Sequence, residues 1–400
     1  MLPNFNITFS QNGELTPTGK ALYSDKYFLV KSQFYNNKIT VIRENGRVTI
    51  IVGNPIVGEE INPYKTAKMI SDPDVDNSLI NGEFLSIYFS EGSKDLYVVN
   101  DRYASIPFYY FEYKEHLYGS IFYNSLWNYL KKEVPDVKCN EEAIFEFLWL
   151  QRLTGNKTYD NYTKFLESSS ELYYSKNKIS IKKYWYPSFE KINCSLNECA
   201  EQLSILLKNS VKNKTSDSGI KLGIFLSGGL DSRIILSSFE NPPTCFTFGV
   251  TENNESKVAK NVANIVNAPH HFIKLSSDPY SEKIDEMVYL GGGMYVFDHS
   301  IFYGYSKEVQ NYANVLFHGH GIDYMFQGMY VPSKPFKIWN KNSPYLKIRS
   351  LSQDIVHDFL HNIPFRLKFD LISYIKKEYR SKLYDALYNS IEQVFSQGKD

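Results

Sequence analysis

The string Phe225-Leu226-Ser227-Gly228-Gly229-Leu230-Asp231-Ser232-Arg233 constrains this chain more than any other feature. It follows KLGIFL at 221–226, an apolar run that reads as a buried strand, and leads into DSRIILSSF at 231–239, which reads as a helix. Two glycines at such a junction let the backbone approach an anion closely and present successive N–H groups. The start of the helix adds further donors and a positive dipole end. Ser227 and Ser232 offer hydroxyls, and Asp231 makes sense beside phosphates chiefly with Mg²⁺ between them. A GxxxxGK[ST] string is lacking, so the loop does not suit γ-phosphate transfer of the P-loop kind. It suits enzymes that hold pyrophosphate as a leaving group while the α-phosphate is attacked.

The surroundings support a parallel sheet. TCFTFGV at 244–250, HHFIKL at 270–275 and NVLFHG at 314–319 read as strands, and KVAKNVANIVN at 257–267 as a helix. Strand–helix alternation of this kind places helices on both faces of a parallel sheet, with ligands at the carboxyl ends of its strands. Upstream, Ser195 and Glu198 have capping-box spacing, followed by a helical stripe of Leu196, Cys199, Leu203, Leu206 and Leu207.

Residues 1–190 have another texture. KITVIRENGRVTIIVG at 38–53 is a hairpin turning at Asn45-Gly46. FLSIYFSEGSKDLYVVND at 84–101 repeats the pattern, and PFYYFEYKEHLYGS at 107–120 is a third strand–turn–strand. NEEAIFEFLWLQR, within 140–152, reads as a short helix with acidic residues in its first turn. Four hundred residues with these two textures predict two domains, 1–190 and 191–400.

Charge narrows the partners. The 44 basic and 44 acidic residues are mixed along the chain, which argues against nucleic acid as the main partner. No run approaches about eighteen apolar residues, so no membrane-spanning helix is expected. The segment MLPNFNITFSQNGE lacks the basic start and apolar run of a signal peptide. The four cysteines, at 139, 194, 199 and 245, form no zinc pattern and fit a reducing compartment. The expected location is the cytoplasm.

The loop resembles the SGGLDS signature of asparagine synthetases and their relatives, among them β-lactam synthetases and lasso-peptide cyclases. The resemblance continues through Thr247-Phe248-Gly249-Val250, where the family's second strand contacts adenine, and through Glu255 with the helix and strand after it. Gly319-His320-Gly321-Ile322-Asp323-Tyr324, then Gln327-Gly328-Met329-Tyr330, is similar to the family's GEGxDE…GGY segment. Asp101-Arg102-Tyr103 with Pro107 and Tyr109-Tyr110 resembles the DRxGxxPLYY stretch of an Ntn-type glutaminase domain, Ser120 stands at the place of its later serine, and Thr158 through Trp185 resembles its tail. The likeness spans roughly residues 80 to 332. It implies an α+β Ntn-hydrolase-like sandwich, followed by an α/β parallel sheet of the adenine-nucleotide α-hydrolase (ATP-pyrophosphatase) type.

It also implies a function. ATP would bind at Leu226, Ser227, Gly228, Gly229, Leu230, Asp231, Ser232, Phe248, Gly249, Val250 and Gly319, with Mg²⁺ on Asp231 and Asp323. A carboxylate, from a small molecule or a peptide, would become an acyl-adenylate, and ammonia or a substrate amine would then displace AMP. The family's default product is asparagine. The chain departs from the pattern at three places. It begins Met1-Leu2-Pro3, where an Ntn glutaminase needs an N-terminal cysteine, so glutamine hydrolysis is not expected. His320 and Tyr324 replace family glutamates; His320 is either a proton acceptor for the amine or a hydrogen-bonding replacement. Asp298 and His299 are further candidates for the acceptor side, and His318 with His299 suits phosphate-bridging Mg²⁺ poorly, since that ion prefers oxygen ligands. Gly291-Gly292-Gly293 is either a close approach to the adenylate or a helix-ending turn. Ile363-Pro364-Phe365 echoes a C-terminal family element without its arginine, and no catalytic lysine is identified. A homodimer or a separate glutaminase partner is compatible with this reading. The alternative is a nucleotide-binding scaffold subunit without turnover.

Overall fold

The structure is a computed structural model. It describes the chain outside residues 1–3, 18–20, 33–38, 73, 189, 191, 217–218, 279, 296–301, 323–333, 339–340, 349–353, 363–370 and 398–400. The N-terminal half holds β1 (Phe5–Ser10), β2 (Tyr23–Ser24), β3 (Phe28–Ser32), β4 (Ile39–Glu44), β5 (Arg47–Val57), β6 (Glu60–Ile61), α1 (Pro63–Ile70), β7 (Ile80–Ser90), β8 (Asp95–Asn100), β9 (Tyr109–Tyr113), β10 (His116–Ser120), α2 (Tyr123–Glu133), α3 (Glu141–Leu150), β11 (Lys164–Phe165), β12 (Ser170–Ser175) and β13 (Lys178–Lys183). The C-terminal half holds α4 (Leu196–Lys214), β14 (Leu222–Phe225), α5 (Leu230–Leu236), β15 (Thr244–Gly249), α6 (Asn254–Ile265), β16 (His270–Lys274), α7 (Ile284–Gly291), α8 (Ser306–Gln310), β17 (Val315–His318), β18 (Lys334–Ile338), β19 (Lys341–Ile348), α9 (Ile355–Asn362), α10 (Leu371–Tyr374) and α11 (Lys377–Ser396).

Two antiparallel sheets come first, in the orders β11-β9-β10-β1-β3-β2 and β13-β12-β8-β7-β5-β4. Their hairpins follow from local chemistry. Asn45 and Gly46 both have positive φ, 51° and 69°, as a two-residue turn matching strand twist requires. Alternate residues of both sheets face one core, with Phe5, Ile7 and Phe9 of β1 meeting Ile50, Ile87, Val98 and Tyr174. The outer face of the second sheet is covered by α1, through Ala67 against Ile42 and Ile51. On the outer face of the first, Ser125 of α2 donates to Asn6 Oδ1 at 2.9 Å.

Asp101 follows β8 and is buried, and it organises the turn there. Its carboxylate accepts from the backbone N–H of Phe84, Tyr103 and Ser105 and from the Ser105 hydroxyl, at 2.9–3.2 Å for the best of each. Arg102 donates to the Ser78 carbonyl and lays its guanidinium over the Trp185 ring.

A parallel sheet in the order β16-β15-β14-β17 follows, as the alternation predicts. Helices α5 and α6 close one face around Ile224, Leu226, Leu236, Cys245, Ala259 and Ala263, while α8 packs on the other through Val309. The capping box at Ser195 and Glu198 opens α4. The leucine stripe of α4 is not core, however. Leu196 and Leu206 are 85% and 65% exposed, and Val211 is the helix's buried residue. Cys194 and Cys199 are joined by a disulfide at the start of this helix.

The chain divides into two compact units. One comprises residues 1–136, 164–293 and 297–319, and the other 137–163, 294–296 and 320–400. The predicted boundary at 190 therefore falls inside the first unit, between β13 and α4. Within that unit Lys214 of α4 reaches Glu83 of β7 at 3.1 Å. The second unit has its own core, where Phe145 and Trp149 of α3 pack with Leu360 of α9 and Leu383, Leu387 and Ile391 of α11.

Candidate functional site

The Gly-Gly loop leaves the carboxyl end of β14 in the first unit. The Leu226 N–H still pairs with the Phe246 carbonyl at 2.8 Å, and the chain turns only after it. Two serines then fix the turn. Ser232 is buried, its hydroxyl accepts from the Ser227 N–H at 3.1 Å, and the two hydroxyls lie 3.0 Å apart. The Ser227 hydroxyl also accepts from the Gly229 N–H at 3.1 Å. Read from sequence as ligand donors, both serines are here engaged in shaping the loop.

The glycines are needed for proximity. Gly229 has φ −76°, a value any residue adopts. A Cβ on Gly228 would stand 2.8 Å from Glu255 Cγ, so the loop lies flush against the first turn of α6. Gly319, just after β17, is closer still: a Cβ there would meet Ser232 N at 2.6 Å and the Asp231 carbonyl carbon at 2.7 Å. Gly319 is thereby brought against Asp231, two residues the sequence places 88 apart by number (319 − 231). Asp231 itself is half-buried.

Beside the loop, at the carboxyl ends of β14 and β15, is a cavity of about 200 Å³. Leu226, Ser227 and Phe248 line it, as the sequence reading expects for a nucleotide. Thr251, Asn253 and Glu255 supply its polar wall. Phe225, Phe272 and Phe302 line it too, and the sequence reading gave none of these three a binding role. Phe225 and Phe302 stack at 5.4 Å with Phe248 edge-on to both. A slot with an aromatic wall and a polar wall, opening beside the Gly-Gly loop, suits a flat aromatic ring joined to an anion. Among the predicted residues, Gly249 ends β15 and Val250 is exposed just beyond it.

Behind the loop runs a polar thread that the sequence did not reveal. The Thr247 hydroxyl donates to the Leu226 carbonyl at 2.7 Å and lies 2.9 Å from His270 Nε2, which must then carry the proton. Burial first, then Lys260 and His271, lowers the His270 pKa and favours this neutral donor form. The histidine pair opens the edge strand β16. Gly292 and Gly293 close α7, with N–H bonds back to Tyr289 and Val288 and φ of 63° at Gly292, so they form a helix-ending turn.

Other candidates lie elsewhere. His320 is exposed and belongs to the second unit. Asp323, Tyr324 and the segment Gln327–Tyr330 lie outside the described residues, as do Asp298, His299 and Ile363-Pro364-Phe365. No group of three or more His, Cys, Asp or Glu side chains that could hold a metal is found among the described residues. No described helix is long and apolar enough to cross a membrane.

Comparison with known proteins bears on the same region. The family described as asparagine synthase matches residues 202–397. Asparagine synthetase [glutamine-hydrolyzing] 1 of Bacillus subtilis (strain 168) is 24% identical over 288 residues, covering 70% of this chain and 44% of that protein. The asparagine synthetase [glutamine-hydrolyzing] of Mus musculus is 26% identical over 167 residues, 36% of this chain and 28% of its own length. The chain thus spans less than half the length of these relatives. Among solved structures, glutamine phosphoribosylpyrophosphate amidotransferase from B. subtilis covers 70% of this chain and 64% of its own, at 9% identity and a TM-score of 0.28, too low to carry the fold.

Proposed function

Because this chain belongs to the asparagine synthase family through residues 202–397, we propose that it is an ATP-dependent, AMP-forming ligase that makes an amide bond. The observation that carries the reading is the juxtaposition at the carboxyl end of β14. There a serine-braced Gly-Gly loop, Gly319 against Asp231, and an aromatic-lined cavity of about 200 Å³ meet.

In this reading the base and ribose of ATP enter the cavity beside Phe248, and its phosphates lie along Gly228 to Ser232. Leu226, Gly249, Val250 and Gly319 form the walls of that path. A substrate carboxylate oxygen attacks the α-phosphorus, the bond to the β-phosphate oxygen breaks, and pyrophosphate leaves. An acyl-adenylate remains. The nitrogen of ammonia or of a substrate amine then attacks the acyl carbon, the carbon–oxygen bond to AMP breaks, and the amine proton passes to His320. Mg²⁺ held by Asp231 and Asp323 would supply charge neutralisation on the phosphates. N–H donors fixed in advance stabilise the charge that develops at the α-phosphate without reorganising.

The two stacked sheets between α1 and α2 are read as an Ntn-hydrolase-like sandwich over residues 1–190, and residues 191–400 as a sheet of ATP-pyrophosphatase type. The carboxylate is a small molecule or a peptide, and ammonia would come from solution or from a separate glutaminase. The cytoplasm is the proposed compartment.

The test is carboxylate-dependent exchange of labelled pyrophosphate into ATP, run over a panel of amino acids, sugar acids and peptides. Wild-type protein should exchange with one member and Mg²⁺, and Asp231→Ala should lose at least about a hundredfold while keeping its thermal unfolding midpoint. Wild-type exchange in Asp231→Ala would remove the aspartate from the chemistry. Tight ATP binding with no exchange for any carboxylate would favour the scaffold without turnover.

A further inference from the structure

Arg233 is the last residue of the loop string and had no role in the sequence reading. It sits one helical turn after Gly229, and a helical side chain of this length runs back toward the helix start. Its Nε donates to the Gly229 carbonyl at 2.9 Å, which lays the guanidinium beside the point where the loop becomes a helix. Among the described residues the Arg233 side chain makes no other hydrogen bond and no ion pair, although Asp231 is two residues away and Glu255 touches Gly228. The positive charge is thus anchored at one nitrogen while its other N–H groups stay unspent.

Asp231 belongs to the loop and Glu255 packs against Gly228, so a bound polyphosphate would meet two carboxylates there. A guanidinium fixed through Nε presents its remaining donors as a planar fork, which matches two oxygens of one phosphate or of neighbouring phosphates. The cavity beside Phe248 is lined by Ser227 but by neither Gly229 nor Arg233. For a nucleotide with its base in that cavity and its phosphates along the loop, the phosphates are the part that Gly229 and Arg233 would stand beside.

We propose that Arg233 binds the pyrophosphate portion of ATP and holds pyrophosphate after it is released. This rests on the reading of the loop as a nucleotide site and deepens it. The role differs from a purely structural brace of the Gly229 carbonyl, which would affect all ligands of the loop alike.

The experiment is calorimetric titration of the full chain with ATP, inorganic pyrophosphate and AMP, each with Mg²⁺, for wild type, Arg233→Gln and Arg233→Lys. Loss of a charge-assisted contact to phosphate should weaken ATP and pyrophosphate about tenfold to a hundredfold in Arg233→Gln. AMP should change less than about twofold, and Arg233→Lys should recover part of the loss by restoring charge without the fork. Unchanged pyrophosphate affinity in Arg233→Gln, or equal weakening of AMP and pyrophosphate, overturns the proposal while leaving the nucleotide site standing. A wild type that binds none of the three removes the site itself and this proposal with it. If Arg233→Gln unfolds, Arg233→Lys decides: a lysine variant with wild-type pyrophosphate affinity and altered AMP affinity contradicts the assignment.

Discussion

Thr247 and His270 hold the carbonyl just ahead of Ser227, yet nothing in TCFTFGV or HHFIKL marks them as a pair. Parallel register decides which strand residues meet, and here it sets Cys245 opposite His270 and Thr247 opposite Phe272. That register is invisible in a single sequence, so the thread was missed. Gly228 and Gly319 were legible from the motifs that carry them, and the structure gives the reason: a Cβ at either would collide with Glu255 or with the Asp231–Ser232 backbone. The serines were recognised as part of the loop, but hydroxyls can face a ligand or each other, and spacing does not choose. His320 is the residue whose part in the proposed reaction is sharpest. If it accepts the amine proton, His320→Gln should slow amide formation about a hundredfold to ten-thousandfold and leave pyrophosphate exchange largely intact. The checking measurement is paired single-turnover amide formation and exchange on one preparation. Equal loss of both, or loss of neither, takes the imidazole out of the mechanism.

Elements were read from sequence where local chemistry suffices. The hairpins at Asn45-Gly46 and at 91–94, helix α3 with Glu141 and Glu142 in its first turn, and the capping box at Ser195 all form as their residues dictate. Helix α4 shows the limit of periodicity, which reports that a helix has an apolar stripe and not that anything covers it. The connection of α3 to α11 shows a second limit, since it depends on residues more than two hundred positions apart. Glu146 is buried in the second unit, with its side chain 1% exposed. It accepts from the Thr154 N–H and hydroxyl and from Lys157, which also donates to Ser390 on α11. Removing the lysine leaves a carboxylate in the interior without its cation, a loss of about 3–5 kcal/mol. Lys157→Met should therefore lower the denaturant midpoint reported by Trp149 fluorescence, and adding Glu146→Gln should recover part of it. A single variant within about 1 kcal/mol of wild type would show that the pair contributes little.

At the scale of the whole molecule, the sequence separated an antiparallel half from a parallel one, and sheets of both kinds are present. It could not show that compactness groups them together and sets α3 with the C-terminal helices, because that grouping depends on contacts between distant segments. The antiparallel sandwich lacks the thiol that glutamine hydrolysis needs. The cysteines are at 139, 194, 199 and 245, none of them in the two stacked sheets. Purified chain should accordingly release no glutamate from glutamine above background, with or without ATP, in a coupled glutamate assay. Release that persists through chromatography and disappears on changing a residue of β1 would contradict this. Asp101 gives that absence a wider meaning. An oxygen pair engaged by three main-chain donors and a hydroxyl is retained by the demands of folding, whatever happens to the chemistry nearby. Such a residue would be held in place whether or not any chemistry happens beside it. The Asp-Arg signature therefore speaks for architecture, and is a poor witness to whether glutamine is consumed.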